Sequence, residues 1–197
     1  MTLLEEALVR LDDDLRALDV KWALVGGVAA SVLGEPRTTR DLDVVVAVAD
    51  DRAAERIAFA LKGRGYREFH AEPWLEREDS PRLAMVRLLV PGETVSGVVA
   101  DLLFAFSGIE PEVVAAAERL EISPGFAVPV ALPEHLVALK VLAGRPVDGQ
   151  DARALLARLD SSARSRIEEA FALIQRRGYH RGKDLLDELR KVEAGLI

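Results

Sequence analysis

The chain has 197 residues, of which half are hydrophobic and 30% charged, so it can bury a core and is not wholly disordered. No apolar run approaches the roughly 20 residues that a membrane-spanning helix needs, and the acidic N-terminus lacks the pattern of a signal peptide. The absence of cysteine excludes disulfides and thiolate metal sites, and the formal net charge of −7 argues against a broadly basic nucleic-acid coat. We therefore expect a cytoplasmic protein without membrane association.

The first part of the chain alternates between helical and strand patterns. Its predicted elements are a helix over residues 3–18, a strand over 21–25, a helix over 28–33, a valine-rich strand from residue 41 and a helix from 51 to about 62. Two glycines after the first strand predict a tight turn. Asp50 or Asp51 can cap the last of these helices, and Gly63 ends it.

More strands are expected in the middle of the chain. Two β-rich runs, 82–90 and 97–106, flank the turn signal Pro91-Gly92-Glu93 and together predict a hairpin. Residues 128–130 are predicted to form an edge strand, because their central proline cannot donate a hydrogen bond to a sheet ladder.

The last third of the chain has helical patterns only. The predicted helices cover residues 133–143, 149–159, 164–176 and 181–193. The expected fold class is therefore α/β, or α+β, with a mixed sheet and flanking helices followed by a C-terminal helical segment. We predict two regions, an α/β core over 1–131 and a helical region over 132–197.

Two aspartates lie at the start of the valine-rich strand. Asp41 and Asp43 alternate with apolar residues, and side chains two positions apart in a strand share one face. Neighbouring carboxylates repel each other, and a divalent cation such as Mg²⁺ removes that cost. Salt bridges from Arg37 and Arg40 are the alternative explanation for this pair.

A third carboxylate and a glycine pair complete the candidate site. Asp101 lies in an apolar run, where a buried carboxylate needs a partner or a metal, although an antiparallel strand could also expose it to solvent. Three converging carboxylates can hold two metal ions. Gly26 and Gly27 would let backbone N–H groups approach a triphosphate at a helix N-terminus, although such a pair also occurs in ordinary strand-to-helix turns.

These motifs, in this order, resemble the nucleotidyltransferase superfamily with the DNA polymerase β-like fold. Its signature is an apolar strand, a Gly-Gly or Gly-Ser pair, a short gap, Asp-x-Asp and a later acidic residue. Here thirteen residues separate Gly27 from Asp41. The resemblance implies a polymerase β-like core in which Asp41, Asp43 and Asp101 are both the catalytic residues and the metal ligands.

Two further motifs resemble the AbiEii-type toxins and related small stand-alone nucleotidyltransferases. One is the run from Arg37 to Asp43, in which Arg, Thr, Asp and Asp alternate with other residues. The other is Lys140 followed by the pattern Arg-x-x-Asp-x-x-Asp over residues 145–151. The resemblance implies that Lys140 contacts nucleotide phosphate and that Asp148 completes the active centre. The expected nucleotide-binding residues are Gly26, Gly27, Arg37, Thr39, Arg40, Lys140 and Asp148.

The resemblance implies an enzyme that moves a nucleoside monophosphate from an NTP to an acceptor hydroxyl with two Mg²⁺ ions, or with Mn²⁺. Asp41 and Asp43 would hold both ions, and Asp101 would hold the catalytic ion and help to deprotonate the acceptor. The acceptor is a tRNA 3′ end or a protein hydroxyl in the toxin branch. In the aminoglycoside and lincosamide branch it is a small hydroxylated antibiotic.

The partners other than the NTP are less constrained. A non-catalytic binding module on the same fold, forming one half of a toxin–antitoxin pair with a cognate antitoxin, is the alternative from a different class. The basic cluster at residues 176–183 could meet RNA phosphate or be a solvated helix face. The apolar helical region could supply a homodimer interface.

Overall fold

The structure is a computed structural model that describes residues 2–69, 83–92 and 97–196. Among these residues, strands occur only before position 131, and helices alone follow. The helices are α1 (Leu3–Ala17), α2 (Gly26–Leu33), α3 (Asp51–Gly63), α4 (Glu110–Ala116), α5 (Pro133–Ala143), α6 (Pro146–Leu156), α7 (Ala163–Arg176) and α8 (Leu185–Glu193). The strands are β1 (Trp22–Val25), β2 (Asp41–Val46), β3 (Arg67–Glu68), β4 (Met85–Leu89), β5 (Val99–Leu103), β6 (Glu118–Ser123) and β7 (Phe126–Val130).

The seven strands of the described residues form one mixed sheet in the order β3-β4-β5-β2-β1-β7-β6. The pairs β2–β5 and β1–β7 are parallel, whereas the other four neighbouring pairs are antiparallel. Parallel neighbours need long crossover connections, which here contain helices. The predicted α/β class with a mixed sheet and flanking helices is therefore confirmed.

Local capping explains where several helices begin. Thr2 and Glu5 form a capping box at α1, in which the Glu5 N–H donates to the Thr2 hydroxyl (3.2 Å) and the Thr2 N–H to the Glu5 carboxylate (2.7 Å). The Asp50 carboxylate accepts the N–H of Ala53 at 2.8 Å and so caps α3, as predicted. Helix α5 ends at Gly144, which has a φ of 70°.

The predicted hairpin corresponds to β4 and β5, which pair in antiparallel register from Met85 opposite Leu103 to Leu89 opposite Val99. Both strands are shorter than the apolar runs that predict them. Arg82 and the turn residue Glu93 lie outside the described residues. The pairing places the middle of β5 between β4 on one side and β2 on the other.

The prediction of an edge strand at residues 128–130 is wrong. These residues belong to β7, which lies between β1 and β6 in the sheet. Pro129 is tolerated there because β7 pairs with β1 only beyond the proline, at Val130, and the next N–H, that of Ala131, donates to the Leu24 carbonyl at 3.0 Å. The sheet therefore ends at β6, a strand that the sequence patterns did not predict.

The buried core is continuous from the first helix to the last. It includes Leu11 of α1, Leu24 of β1, Leu102 of β5, Leu136 of α5 and Leu189 of α8, each fully buried. Helix α5 contacts α2 next to the sheet, and α6, α7 and α8 pack against α5. The boundary at 131/132 falls between β7 and α5 and stays a prediction. Among the described helices, none is both long and apolar enough to cross a membrane.

Candidate active site

Two of the predicted carboxylates lie side by side on parallel strands. Asp43 in β2 is opposite Asp101 in β5, so both residues occupy one row across the sheet. Asp41 lies two residues earlier in β2, opposite Val99, and is exposed. The structure thus brings Asp43 and Asp101 together and leaves Asp41 at the solvent-exposed start of its strand.

The glycine pair packs directly against one of these carboxylates. Val25 at the end of β1 is opposite Asp43, and Gly26 follows with a φ of 66°. A Cβ atom on Gly26 would overlap the Asp43 carboxylate, so both the backbone conformation and the space require glycine at this position. The N–H of Gly27 donates to Asp43 Oδ2 at 3.4 Å. The turn therefore sets backbone N–H groups beside the carboxylate row.

Asp43 has little compensation for its negative charge. Burial, together with the charge of Asp101, raises the pKa of Asp43 to about 6. Its bond from Gly27 is long, and among the described residues it forms no ion pair. A half-buried carboxylate in this state suits a cation, and its oxygen donors suit Mg²⁺. Within the described ranges, however, no three acidic, histidine or cysteine side chains are arranged to enclose a metal ion.

Asp101 has a partner that the sequence did not reveal. Arg87 in β4 is opposite Asp101, and its guanidinium donates from Nε to Oδ1 at 2.7 Å and from Nη2 to Oδ2 at 2.6 Å. The carboxylate is buried, and this bidentate pair compensates its charge. A single arginine among the apolar residues of a strand is usually interpreted as facing solvent. Only the register of β4 and β5 shows that Arg87 is the partner of Asp101.

The loop between α2 and β2 covers the glycine turn. A Cβ atom on Gly27 would lie 2.7 Å from Thr39 Oγ1 and 2.8 Å from Arg37 Nη2, so both side chains lie over this glycine. Ser31 anchors the loop, because its hydroxyl donates to the Gly27 carbonyl at 2.8 Å and accepts the Arg37 N–H at 3.4 Å. Arg40 is exposed and forms no ion pair with the described residues.

A network of ion pairs connects this loop to the helical region. Lys140 in α5 is buried, and its Nζ lies 2.9 Å from Asp148 Oδ1 and 2.8 Å from Asp151 Oδ2, both in α6. Arg145 donates to Asp148, with a shortest distance of 2.6 Å. Arg37 donates through Nε and Nη2 to the two carboxylate oxygens of Asp151, at 2.7 and 2.9 Å. Asp148 and Asp151 lie three positions apart, so one face of α6 carries both.

Both carboxylates of α6 stay ionised despite their burial. Burial by itself would raise the pKa of Asp148, but the hydrogen bonds and charges of Arg145 and Lys140 bring it below its ordinary value. For Asp151, burial is likewise outweighed by the donors Arg37 and Lys140. An aspartate near the start of a helix can also complement the helix dipole, but Asp151 forms ion pairs with two basic side chains. The i, i+3 spacing with Asp148 is the sequence signal for its larger role.

The basic cluster of residues 176–183 makes contacts within the chain. Arg177 forms an ion pair with Glu112 at 2.7 Å, and Arg181 stacks over the ring of Phe106 at 4.1 Å. The Lys183 ammonium donates to the carbonyls of Leu142 and Ala143 at the end of α5, at 2.8 and 3.3 Å. These contacts hold the three side chains in place, and the Glu112 carboxylate compensates the charge of Arg177.

Several solved structures share the fold of this chain. One is an antigenic nucleotidyltransferase-like protein from Paracoccidioides brasiliensis, with a TM-score of 0.51 and 19% identity over 93% of this chain and 89% of that one. Another is ANT(2")-Ia in complex with adenylyl-2"-tobramycin, with a TM-score of 0.51 and 14% identity over 89% of this chain and 96% of that one. At these identities the likeness shows the fold alone, and it agrees with the predicted α/β core.

The family follows from the sequence. The family model described as "Nucleotidyl transferase AbiEii toxin, Type IV TA system" matches residues 8–191, which is nearly the whole chain. The chain therefore belongs to the AbiEii nucleotidyl transferase toxin family, as its motifs predict. No curated protein sequence matches it significantly.

Proposed function

We propose that this protein transfers a nucleoside monophosphate from an NTP to an acceptor hydroxyl on a tRNA or a protein, in a reaction that depends on Mg²⁺. Membership of the AbiEii family supports nucleotidyl transfer. The observation that carries the catalytic part is the register of β2 and β5, which sets Asp43 opposite Asp101 next to the turn at Gly26 and Gly27.

Asp41, Asp43 and Asp101 are the residues that would hold Mg²⁺, or Mn²⁺ in its place. The poorly compensated charge of Asp43 fits a cation, and an all-oxygen donor set fits these two metals. When bound, the ions supply positive charge at the reacting phosphate and at the acceptor oxygen.

The residues around the carboxylates bind and orient the substrates. Gly27 lets the triphosphate approach the start of α2, where backbone N–H groups favour anions. Arg37, Arg40 and Lys140 offset the phosphate charge, and Asp148 holds Lys140 in place. The Thr39 hydroxyl lies over the same glycine and offers the phosphate a hydrogen bond.

In the chemical step, the acceptor oxygen attacks the α-phosphorus and the bond from that phosphorus to the pyrophosphate oxygen breaks. The acceptor proton passes to the carboxylate of Asp101, and pyrophosphate leaves with the electron pair of the broken bond. The α/β core over 1–131 would perform this step, while the helical region over 132–197 would select the acceptor.

Label transfer tests this proposal. The purified protein is incubated with each α-³²P-labelled NTP, Mg²⁺ or Mn²⁺, and either total tRNA or a protein extract. We expect label in one of these fractions, its loss in Asp43→Ala, and its retention in Asp13→Ala, which removes an exposed carboxylate from α1. Equal labelling by the wild type and Asp43→Ala, or no NTP binding by the wild type, would refute the proposal.

A small hydroxylated antibiotic is the second candidate acceptor. The net charge of −7 suits a cationic aminoglycoside, and the ANT(2")-Ia neighbour was solved with an adenylylated tobramycin. Adding tobramycin to the same reaction and measuring its mass distinguishes this acceptor from RNA and protein. NTP binding without transfer to any acceptor would instead favour a non-catalytic toxin–antitoxin module.

The family also motivates a protein partner. Its description as a type IV toxin–antitoxin system supports a cognate antitoxin, and the apolar helical region could supply a homodimer interface. Co-expression with the product of the adjacent gene, followed by size-exclusion chromatography with light scattering, tests both proposals. A complex with that product supports the antitoxin, and a mass twice that of the chain supports the dimer.

A further inference from the structure

Three charged residues form one row across three adjacent strands. Asp101 in β5 is opposite Asp43 in β2 on one side and opposite Arg87 in β4 on the other. Residues in register on neighbouring strands point to the same face of the sheet. The row therefore reads Asp43, Asp101, Arg87, with the arginine on the side away from the glycine turn.

The arginine occupies both oxygens of the central carboxylate. The two bonds measure 2.7 Å to Oδ1 and 2.6 Å to Oδ2, and the side chains of Arg87 and Asp101 are only 20% and 7% exposed. A bidentate pair shielded from water is strong. It leaves one remaining acceptor site on each oxygen of Asp101 for any cation that arrives later.

The two carboxylates differ in their compensation. Asp101 has its guanidinium, whereas Asp43 has one long bond from Gly27 and no ion pair among the described residues. Without Arg87, two adjacent half-buried or buried carboxylates would face each other with no cation in the row. Arg87 thus reduces the charge of the row from −2 to −1 in the protein alone.

We infer that Arg87 is a positioning residue that acts through Asp101. It orients the carboxylate, keeps the row stable before substrates bind, and competes with divalent cations for the Asp101 oxygens. The protein should therefore bind the metal less tightly than it would if Asp43 and Asp101 were present without the Arg87 guanidinium. This inference rests on the proposed function only in assuming that the carboxylates bind a divalent cation.

Metal binding to the protein without nucleotide tests the inference. The free Mn²⁺ concentration is measured by electron paramagnetic resonance during titration of the wild type, Arg87→Gln and Arg87→Lys. We expect Arg87→Gln to bind Mn²⁺ about tenfold more tightly, because a positive charge next to the site is removed. Arg87→Lys, which keeps the charge but cannot bridge both oxygens, should lie between the two.

Two controls distinguish the action of Arg87 through Asp101 from a general effect of lost charge and from a purely structural role. Arg164→Gln removes the same charge from an exposed ion pair with Glu168 in α7 and should leave Mn²⁺ affinity unchanged. In an Asp101→Asn background, Arg87→Gln should tighten Mn²⁺ binding much less, because the carboxylate through which it acts is gone. A purely structural role for Arg87 would weaken metal binding in both backgrounds.

The outcomes are distinct for the two proposals. If the wild type binds Mn²⁺ and folded Arg87→Gln binds it equally or more weakly, the inference is wrong while the proposed function stands. If neither protein binds Mn²⁺, the metal-dependent function fails and the inference with it. If Arg87→Gln does not fold, Arg87→Lys decides, and affinity equal to or weaker than the wild type overturns the inference.

Discussion

Arg37 and Asp151 are 114 positions apart in the sequence and are joined by two hydrogen bonds of 2.7 and 2.9 Å. One residue lies in the loop that covers the glycine turn, and the other lies in α6. The helical region therefore holds the loop over the candidate phosphate site. This contact makes the position of the loop depend on residues far along the chain.

The first prediction concerns this contact. In Asp151→Asn, Arg37 loses its charged partner, so the peptide bond after Arg37 should become more accessible to trypsin. We expect cleavage there to be about threefold faster, as expected when local opening governs proteolysis. Mass spectrometry of the fragments over time measures it. Asp187→Asn, which removes an exposed carboxylate from α8, is the control. Equal cleavage in all three proteins would show that the contact does not restrain the loop.

The second prediction concerns the pH dependence of stability. The pKa of Asp43 is raised from 3.8 to about 6, so its ionised form is disfavoured in the folded protein. The contribution of Asp43 to the free energy of unfolding is therefore fully present below pH 3.8, where the carboxyl is protonated. This contribution is lost as the pH rises through 6. At pH 7 without metal, the free energy of unfolding of Asp43→Asn should therefore exceed that of the wild type by about 1–2 kcal/mol. The same variant should lose nucleotidyl transfer.

The pH series supplies the control for that prediction. The stability difference between Asp43→Asn and the wild type should shrink as the pH falls toward 4, since the wild-type carboxyl is then protonated. Asp41→Asn, at the exposed start of the same strand, should change stability little at any pH. Urea unfolding in the presence of EDTA measures all three proteins, and a constant difference across the series would contradict the assignment.

The third prediction concerns the glycine turn. Gly26→Ala places a methyl group against the Asp43 carboxylate at a φ of 66°, so it should cost about 3 kcal/mol of stability or more. Gly125→Ala is the matched control, because this glycine has a φ of 79° but nothing within 4 Å of a Cβ atom. That variant should lose about 1 kcal/mol from backbone strain alone. Similar losses in both variants would mean that the contact with Asp43 carries no cost.

The fourth prediction concerns the buried lysine. Lys140→Met leaves Asp148 and Asp151 buried with only their arginine partners, so we expect a loss of about 3 kcal/mol in the free energy of unfolding. Lys191→Met, in a partly exposed pair with Glu188, should change stability much less. Thermal unfolding by circular dichroism compares the two variants. A Lys140→Met protein as stable as the wild type would indicate that the arginines suffice.

Sequence patterns predicted elements where the signals are local. The bounds of α5 match the prediction because Pro133 and Gly144 mark its two ends. The strand β2 was predicted from its valines. By contrast, the proline in residues 128–130 predicts an edge strand, because the sequence cannot show that the contact of β7 with β1 begins only beyond Pro129.

The candidate site was predictable residue by residue but not as an arrangement. The resemblance selected Asp43 and Asp101, yet their alignment depends on a parallel pairing between strands more than fifty positions apart. The sequence does not reveal the role of Arg87, because its partner is defined only by the antiparallel register of β4 and β5. The basic cluster at residues 176–183 predicts either an RNA contact or a solvated helix face, and the structure adds tertiary contacts of Arg177 with Glu112 and of Lys183 with the end of α5.

The position of β5 between β4 and β2 has a consequence for the order of synthesis. Asp43 and Arg87 leave the ribosome before Asp101, and until β5 inserts between their strands nothing in the sheet aligns them. A nascent chain that stops short of this strand contains Asp43 and Arg87 but not the carboxylate that lies between them. The row of charges can therefore form only after Asp101 has been synthesised and β5 has paired with both of its neighbours.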